Sequence, residues 1–522
     1  MSKENSKEKT PKASEHTQGG LIPDLPVEMT EILYPQNGGE LVFAFVSPLG
    51  TNEQSVMDEF TTQLKARDYD VHEIKLSRII EEYAGQEVEI DKSSEKLRIQ
   101  SLQHAGNVLR KSGGGNVLTK LGCAEVAAMR AGQSDGKVSS RPLRAAYFFR
   151  SIKHPDEAAL LRTIYGHGFF LVAMHSTFDG RRASLMKRGM DMAEAENLMQ
   201  HDEKESPDEG QNTREAFELA DLFLDESVDV QAQVARFIDL LFGALYVTPT
   251  KDEYGMFMAA SASQRSGDLS RQVGAAILDQ AGDLISAGCN EVPKAGGGSY
   301  WPEDEPDVRD FKLGRDPNDA EKEERFQRLQ EFLEGKGVQV TSEILKEAWK
   351  VSGLKDITEF GRTVHAEMDA IMSCSRRGVP LLGTILYATT FPCHSCARHI
   401  VAAGVSRVIY VEPYAKSEAY SLYGDSIVCQ AHPEPLNDRP RSDGQVPFQP
   451  FVGVAPRRFA DFFSMRHLTG RRIERKSKDG RILRQNLQDL KRPRLQLSEF
   501  SYLDREELAI KSLPKTVLES VQ

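Results

Sequence analysis

The sequence predicts an α/β protein of two domains, the first doubly wound and the second a three-layer α/β/α sandwich. At 522 residues the chain is too long for one hydrophobic core, which favours two domains with extensions. In the first half, continuous apolar runs at 40–46, 144–150 and 169–174 alternate with helical patterns, as in a parallel sheet that is covered on both faces. In the second half, a β-hairpin pattern precedes alternating helices and strands.

Composition and charge narrow the class of protein before any motif is considered. Hydrophobic residues make up 39% of the chain, and no run approaches the roughly 18 apolar residues that a membrane span needs. The net charge of -12 argues against a surface built as a whole for nucleic acid. The six cysteines show no paired framework, which favours a reducing cytoplasm. Residues 1–38 are predicted to form a disordered tail and not a signal peptide.

The first domain is predicted to span 39–247 and to open with a buried strand, a glycine-containing turn and a helix. This is the layout of a phosphate-binding loop. The predicted nucleotide contacts are the six residues of the turn: Ser47, Pro48, Leu49, Gly50, Thr51 and Asn52. The complete motif is absent, because no lysine occurs from 41 to 64. A plain turn without a ligand therefore stays open, and Arg150 at a strand end argues against phosphoryl transfer.

Later elements follow in chain order. Strands at 70–75, 144–150 and 169–174, an acidic loop at 202–213 and a helix over 230–245 complete the first domain. The second domain is predicted to span 248–456, with a helix at 253–264 and hairpin strands at 273–278 and 283–287. Helices are expected at 320–335 and 341–352 within the long segment 294–363, which is a surface insert, a substrate lid or a subunit contact. Strands at 384–388 and 408–411 come last.

Three residues of the second domain have the pattern of zinc ligands. His365 opens a predicted helix over 364–376, and Cys393 and Cys396 open another over 393–403. One imidazole and two thiolates leave the fourth tetrahedral position to water, as in catalytic zinc sites. A structural site would normally add a fourth protein ligand, and none lies at a matching spacing. The sequence therefore predicts a catalytic Zn²⁺.

Glu367 follows the first of these residues by two positions and is predicted to carry protons rather than to bind the metal. A His-x-Glu motif with a later Pro-Cys-x-x-Cys motif is the arrangement of zinc-dependent base deaminases. In that chemistry the carboxylate takes a proton from water and delivers it to the base ring.

The motifs and their surroundings resemble a known family. The second domain looks like a deoxycytidylate deaminase of the cytidine deaminase superfamily, on residues 273–277, 288–293, His365-Ala-Glu367 and Pro392-Cys393-x-x-Cys396. From about 41 to 459 the chain resembles the bacterial two-domain anti-phage dCTP/dCMP deaminases. Further matching segments are 151–157, 296–301, 412–417 and 451–456.

This resemblance implies a fold, a reaction and further site residues. The fold is an N-terminal P-loop kinase-like doubly wound domain followed by an α/β/α cytidine deaminase-like sandwich. The reaction is Zn²⁺-dependent deamination of free dCTP or dCMP, with an antiviral role through depletion of dCTP. Asn290 is implied to contact the sugar, with Glu291 beside it among the substrate-binding residues. Tyr414 is expected to stack near the base or to be a packed aromatic residue.

Residues 457–522 are predicted to form a basic extension of an otherwise acidic protein. Thirteen arginines and lysines lie between 457 and 494, against four acidic residues. A solvated extension, a contact with RNA and a contact with a partner subunit all stay open.

Two other functions compete with deamination of free nucleotides. One is a deaminase acting on RNA or single-stranded DNA, which the basic extension favours. The other is a nucleotide sensor without turnover, against which the presence of Glu367 argues. Expected partners are a nucleotide effector at the first domain, a regulatory RNA and further copies of the chain in a homo-oligomer, with no membrane.

Overall fold

The structure is a computed structural model. It describes residues 39–84, 88–133, 144–204, 212–338, 341–352, 360–412, 417–429, 444–466, 472–486, 490, 493–495, 502 and 506–507. The predicted tail at 1–38 and the predicted substrate contact Tyr414 lie outside these residues. Among the helices that are described, none is long and apolar enough to cross a membrane.

Six described strands form the first sheet, with β1 near its centre. They are β1 (Leu41–Val46), β2 (Asp70–Lys75), β3 (Ala145–Arg150), β4 (Phe169–His175), β5 (Leu222–Asp225) and β12 (Gly453–Val454). Their order across the sheet is β12-β5-β4-β1-β3-β2. Neighbouring strands pair in parallel except at the β12–β5 edge, which is antiparallel. The predicted parallel α/β arrangement of this part is confirmed, and we call this sheet with its helices the first domain.

Helices connect these strands along the chain. Those described are α1 (Glu53–Lys65), α2 (Leu76–Ala84), α3 (Glu95–Gly113), α4 (Val117–Gln133), α5 (Pro155–Tyr165), α6 (Phe178–Lys187), α7 (Met192–Lys204), α8 (Thr213–Glu218) and α9 (Val230–Leu241). Because hydrophobic clusters lie on both faces of the sheet, every residue of β1 is buried. The continuous apolar run at 41–46 is what a strand covered on both faces requires.

Aromatic side chains fill one face of the first sheet. The ring of Phe43 in β1 lies 5.6 Å from that of Phe148 in β3 and 5.5 Å from that of Phe170 in β4. Each such side chain contributes roughly 1.5–3 kcal/mol by its removal from water. This packing fixes the position of β1 and of the loop that follows it.

The second sheet also has six described strands. They are β6 (Gly274–Leu278), β7 (Leu284–Cys289), β8 (Ile385–Thr390), β9 (Arg407–Glu412), β10 (Ile427–Cys429) and β11 (Val446–Pro450). The order is β10-β11-β9-β8-β6-β7, in which β6 is antiparallel to both of its neighbours and the other pairs are parallel. The predicted hairpin is formed by β6 and β7. We call this sheet with its helices the second domain.

Helices lie on both faces of the second sheet. Those described after β5 are α10 (Lys251–Ser263), α11 (Asp310–Leu313), α12 (Pro317–Gly335), α13 (Ser342–Val351), α14 (Ala366–Arg377), α15 (His394–Ala402), α16 (Ala419–Tyr423) and α17 (Phe459–Phe463). Alternate residues of β6 point to opposite faces: Ala275 packs with residues of α14 and α15, and Ala276 packs with residues of α10. The second domain is therefore three-layered.

After the second sheet the chain returns to the first. The Val454 backbone N–H in β12 donates to the Glu253 carboxylate of α10 at 2.9 Å. Arg458 is buried and donates to the Asp221 carboxylate at 2.9 Å. The predicted second domain extends to residue 456, whereas residues 453–454 already belong to the first sheet. Arg458 is therefore packed on the first domain and is not part of a solvated segment, whereas residues 478–482 of the predicted basic extension are exposed.

Candidate metal centre

Two helix N-termini bring the predicted metal ligands together. His365 is the N-cap residue of α14, and Cys393 is the N-cap residue of α15, which follows β8 through Pro392. Neither N-cap side chain is used to cap its own helix. Cys396 lies in the first turn of α15 and is 1% exposed. The partial positive charge at each helix end favours thiolate over thiol at this point.

Distances among the three side chains suit one tetrahedral metal ion. The His365 Nδ1 atom lies 3.3 Å from Cys393 Sγ and 3.4 Å from Cys396 Sγ, and the three ligand atoms lie within 4.8 Å of one another. Tetrahedral Zn²⁺, with bonds of about 2.3 Å to sulfur and about 2.05 Å to nitrogen, holds such atoms roughly 3.6 Å apart. The donor set and its spacing therefore fit zinc, with His365, Cys393 and Cys396 as the residues that would hold it.

Hydrogen bonds among the three side chains shift the pKa of each. Hydrogen bonding to Cys396 and His365 lowers the pKa of Cys393 to about 4, while the hydrogen bond to Cys393 raises the pKa of His365 to about 9. The neighbouring Cys393 sulfur and burial raise the pKa of Cys396 well above its usual range. A divalent cation at the centre would replace the protons that these side chains share.

Glu367 lies beside the cluster without joining it. Its carboxylate Oε2 accepts a hydrogen bond from Cys396 Sγ at 3.4 Å, and the side chain is 4% exposed. Burial, and then the charge of Cys393, raise the pKa of this carboxyl group. A buried carboxyl group with a raised pKa next to a metal site is suited to accepting and returning a proton.

The close contact between α14 and β7 requires glycine at 288. A Cβ atom at Gly288 would lie 2.5 Å from the Ala366 carbonyl oxygen and 2.5 Å from the Ala370 nitrogen. The Ser286 hydroxyl also donates to the Ala370 carbonyl at 3.0 Å. The edge strand β7 thus fixes how closely α14 packs on the sheet, and with it the position of His365.

Asn290 and Glu291, the two predicted substrate contacts that are described, hold the loops around the metal centre. The Asn290 amide accepts from the Val273 N–H and donates to the Arg271 carbonyl, each at 2.7 Å. The Glu291 carboxylate accepts from the Gly267 N–H at 2.9 Å, and the side chain is 1% exposed. The backbone of Glu291 pairs with that of Val364, the residue before His365.

A polar cavity of about 210 Å³ lies beside α14. Its lining includes Arg265 and Lys294, together with Asp369 and Arg376 from α14. The Arg265 guanidinium carbon lies 4.0 Å above the centre of the Trp301 ring. Asp369 was recognisable beforehand only by its position four residues after His365 on the same helix. Its burial and the hydrogen bond that it accepts from the Cys289 N–H at 3.3 Å depend on the tertiary fold.

The predicted nucleotide loop lies at the carboxyl end of β1, between β3 and β4, which is where ligands bind in open parallel sheets. Gly50 has φ of 92°, and a Cβ there would lie 2.8 Å from the Arg181 carbonyl oxygen. Two loop N–H groups already have partners in the chain: Leu49 donates to Asp202 at 3.0 Å, and Asn52 donates to Glu226. Carboxylates of the protein thus take the places that phosphate oxygens would take.

The rest of this loop is also enclosed by charged partners. The Ser47 hydroxyl donates to the Glu53 carboxylate at 2.7 Å, and Arg150 Nε donates to the same carboxylate at 3.0 Å. Lys153 Nζ donates to the Ser47 carbonyl at 3.1 Å. Lys153 was missed from the sequence, because it comes to the loop from a position more than 100 residues away in the chain.

Comparison with known proteins bears on the second domain. Residues 249–412 match the family described as the cytidine and deoxycytidylate deaminase zinc-binding region. A probable deoxycytidylate deaminase of Drosophila melanogaster is 30% identical over 170 residues, which are 32% of this chain and 63% of that protein. ComE operon protein 2 of Bacillus subtilis (strain 168) is 47% identical over 60 residues, 12% of this chain and 31% of that protein. The chain thus spans less than two thirds of the length of either relative.

A similar solved structure is the dCMP deaminase of the cyanophage S-TIM5 in complex with dCMP and dUMP. It is 20% identical, has a TM-score of 0.21, and covers 34% of this chain and 93% of its own. The family match includes His365, Cys393, Cys396 and Glu367, so a deaminase-type zinc-binding region is supported for the second domain.

Proposed function

We propose that the protein is a zinc-dependent hydrolase that deaminates free deoxycytidine nucleotides, converting dCTP or dCMP with water to dUTP or dUMP and ammonia. The observation that carries the proposal is the cluster of His365, Cys393 and Cys396, whose ligand atoms lie within 4.8 Å of one another. Glu367 stands 3.4 Å from one of them. The family match over 249–412 and the deoxycytidylate deaminases among the relatives support the class of reaction.

In the proposed deamination, the metal and the carboxylate of Glu367 have separate roles. Zinc, when bound, lowers the pKa of a water molecule to near neutrality. With a water molecule held there, Glu367 would take one of its protons and give it to the ring nitrogen N3, while the water oxygen adds to C4 of the base. Glu367 would then take the proton of the new C4 hydroxyl group and pass it to the amino group, which leaves as ammonia as the C4 carbonyl forms. A carboxyl group whose pKa is raised by burial accepts and releases these protons more readily than an exposed one.

Substrate contacts are proposed at Asn290, Glu291 and Tyr414. The Asn290 amide holds the 271–273 segment, yet its oxygen has a second lone pair and its nitrogen a second proton, so it can also contact a sugar hydroxyl. Glu291 is proposed to act through its backbone contact with Val364, next to His365. Antiviral defence by depletion of the dCTP pool is proposed from the resemblance of residues 41–459 to the two-domain deaminases, and both dCTP and dCMP are proposed as substrates.

Regulation is proposed to involve the first domain. A nucleotide effector would bind the loop Ser47–Asn52. The position of the loop at the carboxyl end of β1 supports this binding, whereas the carboxylates that already accept from its N–H groups oppose it. We further propose that the protein binds a regulatory RNA and that it forms a homo-oligomer. Arg458 and Arg494 of the basic extension both contact the first domain. The Arg494 backbone N–H donates to the Leu241 carbonyl at 2.6 Å. These contacts leave fewer basic residues of the extension for binding RNA.

The deciding experiment is ammonia release by purified, zinc-loaded protein given dCMP, dCTP, CTP and a cytosine-containing oligonucleotide. Glu367→Ala is the control, because it removes the proton carrier and leaves the three metal ligands. Turnover of dCMP or dCTP that is absent in the variant supports the proposal. Turnover of the oligonucleotide alone would identify the protein as a nucleic-acid deaminase. Binding of a nucleotide without any turnover would identify it as a nucleotide sensor.

A further inference from the structure

The Asp202 carboxylate is enclosed by donor groups from three separate parts of the first domain. Asp202 lies in the last turn of α7, and one of its carboxylate oxygens accepts from the Leu49 backbone N–H at 3.0 Å. The other oxygen accepts from the Gln103 amide at 3.4 Å and from Lys153 Nζ at 3.5 Å. The side chain of Asp202 is 3% exposed. We call these three donors, which come from the loop after β1, from α3 and from the segment after β3, the anion site.

The end of α7 is an unfavourable place for a carboxylate. The C-terminal end of a helix carries partial negative charge, which disfavours an acidic side chain in its last turn. The anion site, and above all the ammonium group of Lys153, offsets this repulsion of Asp202. The Lys153 side chain is largely buried, and a buried ammonium group without an anion beside it is strongly unfavourable. Asp202 therefore leaves the site readily only when another anion takes its place.

The position of the anion site favours a phosphate group as that other anion. The site lies at the carboxyl end of β1, where ligands bind in open parallel sheets. The loop after β1 offers a second N–H, that of Asn52, to the carboxylate of Glu226, which also accepts from the Ser176 hydroxyl. Two acceptors from different elements thus occupy two N–H groups of one loop. Successive phosphate groups of a nucleotide present acceptors to backbone N–H groups in the same way.

We propose that Asp202 is an internal competitor for the anion site, and that a phosphate group of a nucleotide displaces it and releases the last turn of α7. This inference rests on the proposed nucleotide effector, and it adds how the effector is recognised and what it moves. The ligand class is a nucleoside diphosphate or triphosphate, bound through Leu49, Gln103 and Lys153. Without such a ligand, Asp202 keeps the anion site closed.

Only the end of α7 is expected to move. Leu198 and Met199 are buried in an apolar cluster with side chains of α6, which holds the body of α7 in place. The side chain of Leu49 packs against the same cluster. Displacement of Asp202 therefore frees residues 201–204, while the preceding turns of the helix stay packed.

The anion site is also connected to a helix that contacts the second domain. The chain leaves the site at Asp202 and returns to it at Asn212, whose backbone N–H donates to the Lys153 carbonyl at 2.7 Å. Asn212 is the N-cap residue of α8, and α8 contacts β9 of the second domain. Lys153 thus binds the competitor through its ammonium group and the start of α8 through its carbonyl. A phosphate group in the anion site would have a short path to the second domain.

Hydrogen–deuterium exchange and isothermal titration of the full-length, zinc-loaded protein with ATP, GTP and pyrophosphate test the displacement. In the wild type, we expect bound nucleotide to lower the protection of amides at 201–204 by about tenfold and to leave those at 195–199 unchanged. Asp202→Asn removes the competing charge, so nucleotide affinity should rise by about tenfold. Its last turn of α7 should already be less protected, and the ligand should not change it further.

Two further variants complete the test. Asp179→Asn removes the same charge from α6, where the side chain is 77% exposed, and should follow the wild type in both measurements. Lys153→Gln removes the cation and should weaken nucleotide binding by about tenfold or more. Equal displacement by pyrophosphate and ATP would support the exchange of anions with phosphate alone as its ligand. A stronger effect of ATP or GTP would support a nucleotide.

Two results would overturn the displacement: bound nucleotide that leaves protection at 201–204 of the wild type unchanged, or an Asp202→Asn variant that binds nucleotide no more tightly than the wild type. The first result rejects the displacement and keeps the effector, whereas absence of nucleotide binding in both proteins rejects the two together. Neither measurement needs turnover, and ATP and GTP lack the cytosine base. Displacement without ammonia release from dCMP or dCTP therefore rejects only the deaminase, and ammonia release without displacement rejects only the competitor.

Discussion

Glu506 pairs with Arg130 of helix α4, with a guanidinium nitrogen 3.2 Å from a carboxylate oxygen, although 376 positions separate the two residues in the chain. Arg130 also pairs with Glu40, just before β1, at 2.9 Å. The Tyr502 hydroxyl donates to the Glu40 carboxylate at 2.7 Å, and the Tyr165 hydroxyl donates to the Glu506 carboxylate at 2.9 Å. The last described residues are thereby anchored inside the first domain.

Glu506→Ala should destabilise the first domain. Removing one partner of a buried ion pair leaves the other partly uncompensated, and we expect the free energy of unfolding to fall by about 3 kcal/mol. Chemical denaturation followed by far-ultraviolet circular dichroism measures the change. Glu507→Ala alters the exposed neighbour and should stay within about 0.5 kcal/mol of the wild type. Equal effects of the two substitutions would contradict a role for the buried pair.

Cys393→Ser should abolish stoichiometric zinc binding. It replaces one of three metal-binding side chains by a hydroxyl, a far weaker zinc ligand than thiolate, so the metal content should fall from about one ion per chain to near zero. Elemental analysis after dialysis gives the ratio. Cys374→Ser is the matched control, because Cys374 is buried in α14 and lies outside the ligand cluster. Retention of zinc by the Cys393 variant would exclude this residue as a ligand.

Glu367→Gln should separate metal binding from turnover. The amide cannot carry a proton, so the turnover number on dCMP or dCTP should fall by roughly 10²–10⁴ while the zinc content stays unchanged. Asp283→Asn changes an exposed carboxyl group in the turn between β6 and β7 and should retain activity. If both variants lose activity equally, the proton is carried by some other group.

Asp202→Ala combined with Glu226→Ala should expose the loop after β1 to phosphate. The N–H groups of Leu49 and Asn52 lose their carboxylate partners, and two negative charges disappear, so nucleoside triphosphate affinity should rise by about tenfold or more. Isothermal titration with ATP, GTP and dCTP provides the constants. Asp58→Ala with Glu59→Ala removes the same charge from α1 away from the loop and should leave affinity unchanged. Unchanged affinity in the loop variant would identify the loop as a plain turn.

Local patterns predicted much of the fold. The strands at 40–46, 70–75, 144–150 and 169–174 are present to within one residue. Three of them are recognisable as short apolar runs because they are buried on both faces, whereas Asp70–Lys75 is an edge strand in which Ile74 is the buried residue. The candidate metal-binding residues were equally recognisable as a pattern, since His365 lies at the start of one predicted helix and Cys393 and Cys396 at the start of another. The helix predicted at 230–245 ends earlier, at Leu241.

Other features depend on residues far apart in the chain. The short strand β5 was not predicted, because its four residues carry no periodic signal of their own. The pairing of β12 with β5 and the carboxylates at the loop after β1 join segments from roughly 150 to 230 positions apart. Charge and periodicity within a segment say nothing of such partners. Asn290 was assigned from resemblance, and its two backbone hydrogen bonds became apparent only in the structure.

The antiparallel edge formed by β12 has a consequence for how the polypeptide is made. Leu222 and Phe223 of β5 emerge from the ribosome more than 200 residues before their partners at 453–454. At roughly 5–20 residues per second, that edge waits on the order of ten to fifty seconds for its last strand, while the entire second domain is synthesised. A gene fragment that stops at 247 would encode a sheet without this strand and without the anchor at Glu506. Biosynthesis thus makes completion of the earlier domain dependent on the later one.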